Sequence, residues 1–392
     1  MMYRDFGKTG KKISALGFGC MRLPEIQIAE RTEEEKRARE GLSWYESQKD
    51  DTFIVDEEKA IPMLKAAYDA GINYFDTAQF YCHFKSQATL GKAVKLMDRE
   101  KIMVATKLPM AEVNETADFR RMLDIQLKLL DMDYIDFYHF HGINKNSFDE
   151  KVMGFGLKKE AQKAIDEGLI KHISFSFHGN VKDIPYLVET FEMFSSVLLQ
   201  YNLLDRTNEE NIDYLASKGL GTVVMGPIAG GRLSAPTELS KKLLGGDIST
   251  PELALRFVLG NKNVSCGLSG MGNMEMLESN LKVANMEVPM TEDDFRKATL
   301  MMEELKKLSD LYCTGCNYCL PCPKEINIPH LFNAYTFHNV YGLSEQAKRM
   351  WGANRGAPVS ECVNCKLCDK KCPQQIKVAE KLKEVEKIML SL

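Results

Sequence analysis

Eight of the eleven cysteines in this 392-residue chain lie between residues 313 and 372, and their spacing constrains the fold of that region more than any other feature. Two runs share the pattern C-x2-C-x2-C, each followed by a fourth cysteine directly before a proline. Three cysteines at this spacing can hold three corners of one 4Fe–4S cube, while the fourth crosses to the other cluster in two-cluster proteins. We therefore predict two 4Fe–4S clusters. The predicted ligands are Cys313, Cys316, Cys319 and Cys372 for the first cluster and Cys322, Cys362, Cys365 and Cys368 for the second.

The second run, which ends at Cys372, matches the bacterial ferredoxin pattern, whereas the first is one residue short before Cys322. Structural zinc is the alternative, because paired C-x2-C elements also bind that metal. Most of the stretch between the two runs has a helical pattern. We predict an α-helical, ferredoxin-like iron–sulfur domain over residues 311–392.

The number of cysteines also bears on the compartment. Disulfides are rare where cytosolic thiols are kept reduced, so these cysteines are better explained as metal ligands or buried thiols. The chain has no apolar leader after its first basic residues and no long apolar run. Its formal net charge of −4 gives no basic footprint for nucleic acid or for a membrane surface. We expect a cytoplasmic protein with neither of these partners.

Before the cysteine-rich region, short apolar runs alternate with amphipathic helical patterns about eight times. Strands that are apolar on both faces are typical of a parallel sheet covered by helices. Eight such units over residues 1–290 predict an α/β fold, the (β/α)8 TIM barrel, with residues 291–310 as a linker helix. An open doubly wound sheet is the alternative, but the glycine-rich dinucleotide fingerprint is absent after the first strand.

One segment interrupts the alternation. Residues 29–49 are highly charged and follow the first predicted strand. A run of charges usually forms a solvated surface helix. Because barrel active sites lie at the carboxyl ends of the strands, where this segment emerges, it is also a candidate lid.

Four polar side chains follow three neighbouring barrel strands in the sequence. Asp76 and Tyr81 follow the second strand, and the next two strands end in Lys107 and His141. A tyrosine has a pKa near 10 and exchanges protons poorly at neutral pH, but an adjacent lysine cation lowers that pKa. The aspartate would hold the lysine, and the histidine would orient a substrate oxygen. The set predicts a carbonyl-reduction site.

At these residues the chain resembles the aldo/keto reductases, a family of (β/α)8 barrels that transfer hydride between nicotinamide and a carbonyl. The resemblance covers about residues 1–290, and the cysteine-rich tail fits the subset with a ferredoxin-like extension. It implies that Tyr81 is the general acid, that Lys107 and Asp76 tune it and that His141 orients the substrate. The motifs that carry the resemblance are FDTAxxY, VATK, DYIDFYHFH, SFSFH, LQYNLLD and ESNLKV.

The same resemblance implies a cofactor site. Ser176 and Gln200 would hold the nicotinamide carboxamide, and Asn280 belongs to the late cofactor motif. Met225 stands where the family usually has a tyrosine that stacks on nicotinamide. Gly270, with Met276, stands where many members have a cationic pair for the 2′-phosphate of NADP, so a phosphate there would lack charged partners. The NADP preference is therefore in doubt, and NAD or a bound flavin stays open.

Three functions remain from the sequence. The first is an NAD(P)H-dependent reductase of an aldehyde or ketone, with clusters that transfer electrons or are structural. The second is an oxidoreductase coupled through flavin, or through a ferredoxin- or flavodoxin-like partner, to the barrel site. The third is a non-catalytic redox sensor or electron-transfer module. The sequence identifies neither the substrate nor the oligomeric state.

Overall fold

The computed structural model describes the chain except for residues 29–52, 204, 229–247, 299, 301–310, 312, 314 and 340–343. The 29–49 insertion and the second half of the predicted linker helix therefore lie outside the described residues. The contacts divide the chain into two compact units. One comprises Met1–Tyr201, Thr207–Pro227 and Val258–Pro289, and the other comprises Asn202–Arg206, Ile228–Phe257 and Met290–Leu392.

Eight parallel strands close into a barrel, which confirms the predicted TIM-barrel architecture. The barrel strands are β3 and β6 to β12, and each pairs with its neighbours in chain order. Two antiparallel ribbons, β1–β2 and β4–β5, were not predicted. The strands are β1 (Tyr3–Asp5), β2 (Lys12–Ser14), β3 (Leu16–Gly19), β4 (Glu25–Gln27), β5 (Phe53–Val55), β6 (Tyr74–Asp76), β7 (Met103–Leu108), β8 (Ile135–Ile143), β9 (Ile170–Phe177), β10 (Phe194–Gln200), β11 (Gly221–Met225) and β12 (Cys266–Ser269).

In the described chain a helix follows each of the eight barrel strands, in the pattern that the amphipathic periods predict. The first of these helices ends at Asp69, and Gly71 shortly after it takes the positive φ (99°) that a residue after a helix often needs. The helices are α1 (Glu57–Asp69), α2 (Ser86–Val94), α3 (Asp118–Leu130), α4 (Leu157–Asp166), α5 (Ile184–Thr190), α6 (Glu209–Ser217), α7 (Thr250–Gly260) and α8 (Met274–Ala284).

The floor of the barrel is packed with side chains and is not a pore. Phe6, next to the β1–β2 ribbon, is fully buried, and its ring lies 4.7 Å from that of Phe137. At Gly221 a β-carbon would stand 2.2 Å from the Phe6 ring, so only glycine fits there. Because this plug closes the amino ends of the strands, the opposite rim is left for chemistry.

The carboxyl-terminal part is helical, as the sequence predicts, and its core lies between helices and cysteine loops. Ile328, Phe332 and Leu382 are buried in that core. Residues 292–298 are also helical, and Phe295 packs against Phe257 with 5.3 Å between ring centroids. The helices are α9 (Ile328–Asn339), α10 (Ser344–Gly352), α11 (Leu367–Lys371) and α12 (Val378–Leu390).

Within the described residues, we find no helix with the length and apolar character that crossing a membrane requires.

Candidate functional site

Four predicted side chains meet at the carboxyl rim of the barrel. Asp76 is the last residue of β6, Lys107 lies near the end of β7 and His141 lies near the end of β8. Tyr81 occupies the turn that follows β6. Parallel strands in register bring these positions to the same edge of the sheet, although they are up to 65 residues apart in the chain.

Lys107 and Asp76 form a buried ion pair. The Lys107 ammonium donates to Asp76 Oδ1 at 2.5 Å and to the Thr77 carbonyl oxygen at 2.8 Å, and each side chain of the pair is 1% exposed. Burial raises the pKa of Asp76 against the opposing charge of Lys107. Burial alone would lower the pKa of Lys107, but Asp76 and Tyr81 raise it above its ordinary value. The lysine therefore stays cationic beside the tyrosine.

Tyr81 is in direct contact with that cation. Lys107 Nζ lies 4.7 Å from the centroid of the Tyr81 ring. Burial raises the pKa of Tyr81, and Lys107 opposes the rise without cancelling it. The expectation of a lowered tyrosine pKa is therefore half right, because desolvation of the phenolate outweighs the cation. Tyr81 is therefore a protonated, neutral phenol in the free protein and can act as a proton donor.

His141 lies next to the tyrosine. The His141 and Tyr81 ring centroids are 6.2 Å apart, and Phe80 lies against the other side of the imidazole at 6.4 Å. Burial and the nearby Lys107 charge hold the pKa of His141 well below its usual range, so the ring is neutral. His139 lies deeper in the barrel, where its Nε2 is 3.4 Å from the Tyr74 hydroxyl oxygen.

The turn that carries Tyr81 has an unusual backbone. Cys82, His83 and Phe84 all have positive φ angles, of 47°, 56° and 68°. This conformation costs a residue with a β-carbon about 1–2 kcal/mol. Two contacts to one carbonyl hold the turn, since Cys82 Sγ and Ser86 Oγ donate to the Cys20 oxygen at 3.3 and 2.7 Å.

The β4–β5 ribbon braces the same turn. His83 Nε2 lies 3.2 Å from Glu25 Oε1 of β4, and the His83 ring stacks on Phe53 of β5 with 6.2 Å between centroids. These two strands flank the insertion at residues 29–49. The strands on either side of that segment therefore contact the turn that positions the candidate acid.

The residues expected to hold nicotinamide lie on β9, β10 and β11. Ser176 is buried at the end of β9, and its Oγ accepts a hydrogen bond from the Gly142 amide at 2.7 Å. Gln200 ends β10, and Met225 ends β11. A β-carbon at Gly226 (φ 63°) would stand 3.0 Å from the Gln200 amide, so the glycine lets that amide pack closely against the backbone after β11. These groups fit a carboxamide.

The late cofactor loop has an arginine beside it that the sequence analysis missed. Asn280 Nδ2 donates to Ser269 Oγ at 3.0 Å and ties α8 to the end of β12. A β-carbon at Gly270 would lie 3.5 Å from three side-chain carbons of Arg22, which is exposed. Residues 269–280 contain no lysine or arginine. The signal in the sequence was the lone cation just after the first strand, whose end pairs with β12.

The eight cysteines line two separate cavities. Each cavity is lined by three cysteines of one run and the last cysteine of the other, which is the crossed grouping expected from the sequence. The first is lined by Cys313, Cys316, Cys319 and Cys372, and the second by Cys322, Cys362, Cys365 and Cys368.

The chemistry of these cavities fits clusters with positively charged iron. Burial, together with Cys313, Cys316 and Cys372, raises the pKa of Cys319 to about 12, because thiolates held together repel one another. Iron at the centre of each group would relieve that cost. In the described part of the chain, no three His, Cys, Asp or Glu residues are grouped to hold a single metal ion.

Comparisons with known proteins agree with both parts of this description. The sequence model of the aldo/keto reductase family matches residues 47–300, and that of a 4Fe–4S dicluster domain matches residues 312–377. The chain is 28% identical over 339 residues to L-galactose dehydrogenase of Arabidopsis thaliana, covering 78% of this chain and 96% of that protein. It is similar in fold to the holo form of an aldo-keto reductase from Bacillus halodurans, with a TM-score of 0.61, 24% identity and coverage of 77% of this chain and 96% of that one.

Proposed function

The chain belongs to the aldo/keto reductase family, and we propose that it reduces an aldehyde or ketone with hydride from a nicotinamide dinucleotide, while two 4Fe–4S clusters carry electrons. The observation that supports this best is the contact of Tyr81 with Lys107 and His141 at the barrel rim. That arrangement places a proton and a neutral hydrogen-bond donor at one point, as carbonyl reduction requires.

Tyr81 is the proposed proton donor in this reaction. Its hydroxyl gives a proton to the substrate oxygen as negative charge develops there, and Lys107 stabilises the phenolate that remains. Asp76 keeps Lys107 in place and offsets its charge before the reaction. Neutral His141 donates an imidazole N–H to the same oxygen, which orients the carbonyl. A bound nicotinamide would supply the hydride.

Three groups of the chain would hold the dinucleotide. Ser176 and Gln200, whose amide packs against Gly226, would bind the carboxamide. Arg22 would give the phosphates the positive charge that residues 269–280 lack. Because residues 269–280 contain no lysine or arginine for a 2′-phosphate, we propose that NAD serves at least as well as NADP.

The eight cysteines would hold the clusters, which transfer one electron at a time, whereas nicotinamide gives two electrons as hydride. Coupling of the two needs a flavin or an outside one-electron partner. The second candidate function is therefore a flavin- or ferredoxin-coupled oxidoreductase, in which the clusters exchange electrons with the barrel site. The exposure of Cys365 favours this second function, because a cluster near the surface can exchange electrons with another protein.

Anaerobically purified protein tests the proposal. We expect about eight iron atoms per chain for two cubes, and turnover of an aldehyde or ketone panel with NADH or NADPH. Tyr81→Phe should abolish that turnover and leave iron content and cluster absorbance unchanged. An unchanged turnover would remove Tyr81 from the mechanism. Bleaching of the clusters by NADH, above all with bound flavin, would move the second function ahead of the first.

A further inference from the structure

One ligand of the second cluster lies at the protein surface. Cys365 is exposed, whereas the other seven cluster cysteines are half-buried. Two apolar side chains flank it and are left in water, with Val363 61% exposed and Leu367 43% exposed. Together with the exposed ligand Cys365 they give this stretch of surface an apolar character.

Cations surround this apolar spot. Lys324 and Lys366 line the cavity of the second cluster, and Lys370 and Lys371 follow on α11. All four are exposed, and none makes an ion pair with another described residue. Residues 361–377 hold four lysines and two carboxylates, in a chain whose net charge is −4.

The carboxylates of this segment do not cancel those cations. Asp369 is half-buried and accepts a hydrogen bond from the Ala379 amide at 2.9 Å, at the start of α12. Glu361 is exposed at the edge of the segment, and Glu325 follows Lys324. The resulting surface has an apolar centre, positive flanks and the exposed ligand Cys365 between them.

We propose that this surface, formed by Lys324, Val363, Cys365, Lys366, Leu367 and Lys370, docks an acidic one-electron carrier protein that reduces the second cluster. The inference rests on the presence of that cluster in the proposed function. One electron leaves the reduced carrier and enters the oxidised cluster, so no bond or proton changes place. Carbonyl reduction by nicotinamide alone would not need such a surface.

The physical argument has two parts. The lysines steer a negatively charged partner toward the cluster, and such steering raises association rates about 10- to 1,000-fold and weakens with salt. Val363 and Leu367 then exclude water at the point of contact, with the ligand Cys365 between them in sequence. Lys324, Lys366 and Val363 line the second cavity itself.

A charge-reversal pair tests the surface on the holoprotein. The double variant Lys366→Glu/Lys370→Glu, the docking-surface pair, reverses two charges of the proposed surface. The double variant Lys128→Glu/Lys159→Glu, the control pair, makes the same change in net charge on exposed barrel helices. Stopped-flow mixing measures cluster reduction by a reduced acidic bacterial ferredoxin, and by reduced methyl viologen, a small cation that needs no docking surface. Calorimetry measures the affinity of the oxidised ferredoxin for each variant.

We expect the docking-surface pair to slow cluster reduction by ferredoxin at least about tenfold at low salt. The rate should also depend less on salt, and ferredoxin should bind more weakly. The control pair and the viologen rates should stay within about twofold of those of the unchanged protein, since only local charge is changed. Equal slowing by both pairs, or no slowing by the docking-surface pair, would overturn the proposed docking surface. Iron analysis and electron paramagnetic resonance come first, because a missing second cluster would instead refute the proposed function.

Discussion

Replacement of Asp76 by Asn should destabilise the barrel much more than replacement of Lys107 by Met. Both side chains are 1% exposed, and Asp76 Oδ2 has no hydrogen-bond partner among the described residues, so the pair depends on one short contact of 2.5 Å. Removing one partner of a buried pair leaves an uncompensated charge and costs about 3–5 kcal/mol. Asp76→Asn leaves the Lys107 cation buried without its counter-charge, so we expect the free energy of unfolding to fall by an amount in that range.

Lys107→Met should lower the free energy of unfolding less than Asp76→Asn does, and the size of this effect should depend on pH. Without the lysine, burial acts alone on Asp76 and raises the pKa of that carboxyl further above its value in the unfolded chain. The native state then binds the proton more tightly than the unfolded state, so stability is highest in acid and falls as pH rises through the raised pKa. The double variant Asp76→Asn/Lys107→Met should lose this pH dependence and cost less than the sum of the two single changes.

Hydrogen exchange of the β7 amides measures these free energies locally, since a chain of two units has no single unfolding free energy. Lys65→Met, at a more exposed ion pair 2.6 Å from Asp69, is the control and should cost about 1 kcal/mol or less. Losses below about 1 kcal/mol for both active-site variants, with additive behaviour in the double variant, would refute the buried-pair argument.

Three further predictions concern the cofactor and the clusters. Arg22→Ala should raise KM for the dinucleotide about tenfold with little change in kcat, since phosphate binding is uniform in ground and transition states; Arg22→Lys should recover part of it, and an unchanged KM would remove Arg22 from the site. Cys322→Ala should lose the second cluster and Cys372→Ala the first, with distinguishable electron paramagnetic resonance signals; loss of the same cluster in both would contradict the crossed grouping. Because His141 is neutral, kcat/KM should show no fall in activity through its ordinary pKa near 6.5, and a pH profile with a break there would oppose that assignment.

The sequence predicted the eight barrel strands, their alternation with helices and the helical character of the tail. Each of these depends on a local pattern, such as the apolar strand before Asp76. It did not predict the β1–β2 and β4–β5 ribbons, because strands of three residues carry too little pattern to be recognised.

Site positions were predicted better than site energetics. Asp76, Tyr81, Lys107 and His141 could be grouped because parallel strands bring their ends to one rim. The direction of the Tyr81 pKa could not be predicted, since it depends on how completely the fold removes water from the phenol relative to its contact with Lys107.

The sequence by itself determined the architecture and the functional residue types. These are an eight-stranded barrel with a reductase-like set of residues, and eight cysteines at cluster spacing. Tertiary structure decided which distant groups share a space. Arg22 lies beside Gly270, His83 contacts Glu25, and Cys322 faces the cavity of the second run. The physical reason is the distance along the chain over which each signal acts. Spacing and periodicity act over a few residues, whereas charge, burial and packing depend on neighbours that only the folded chain brings together.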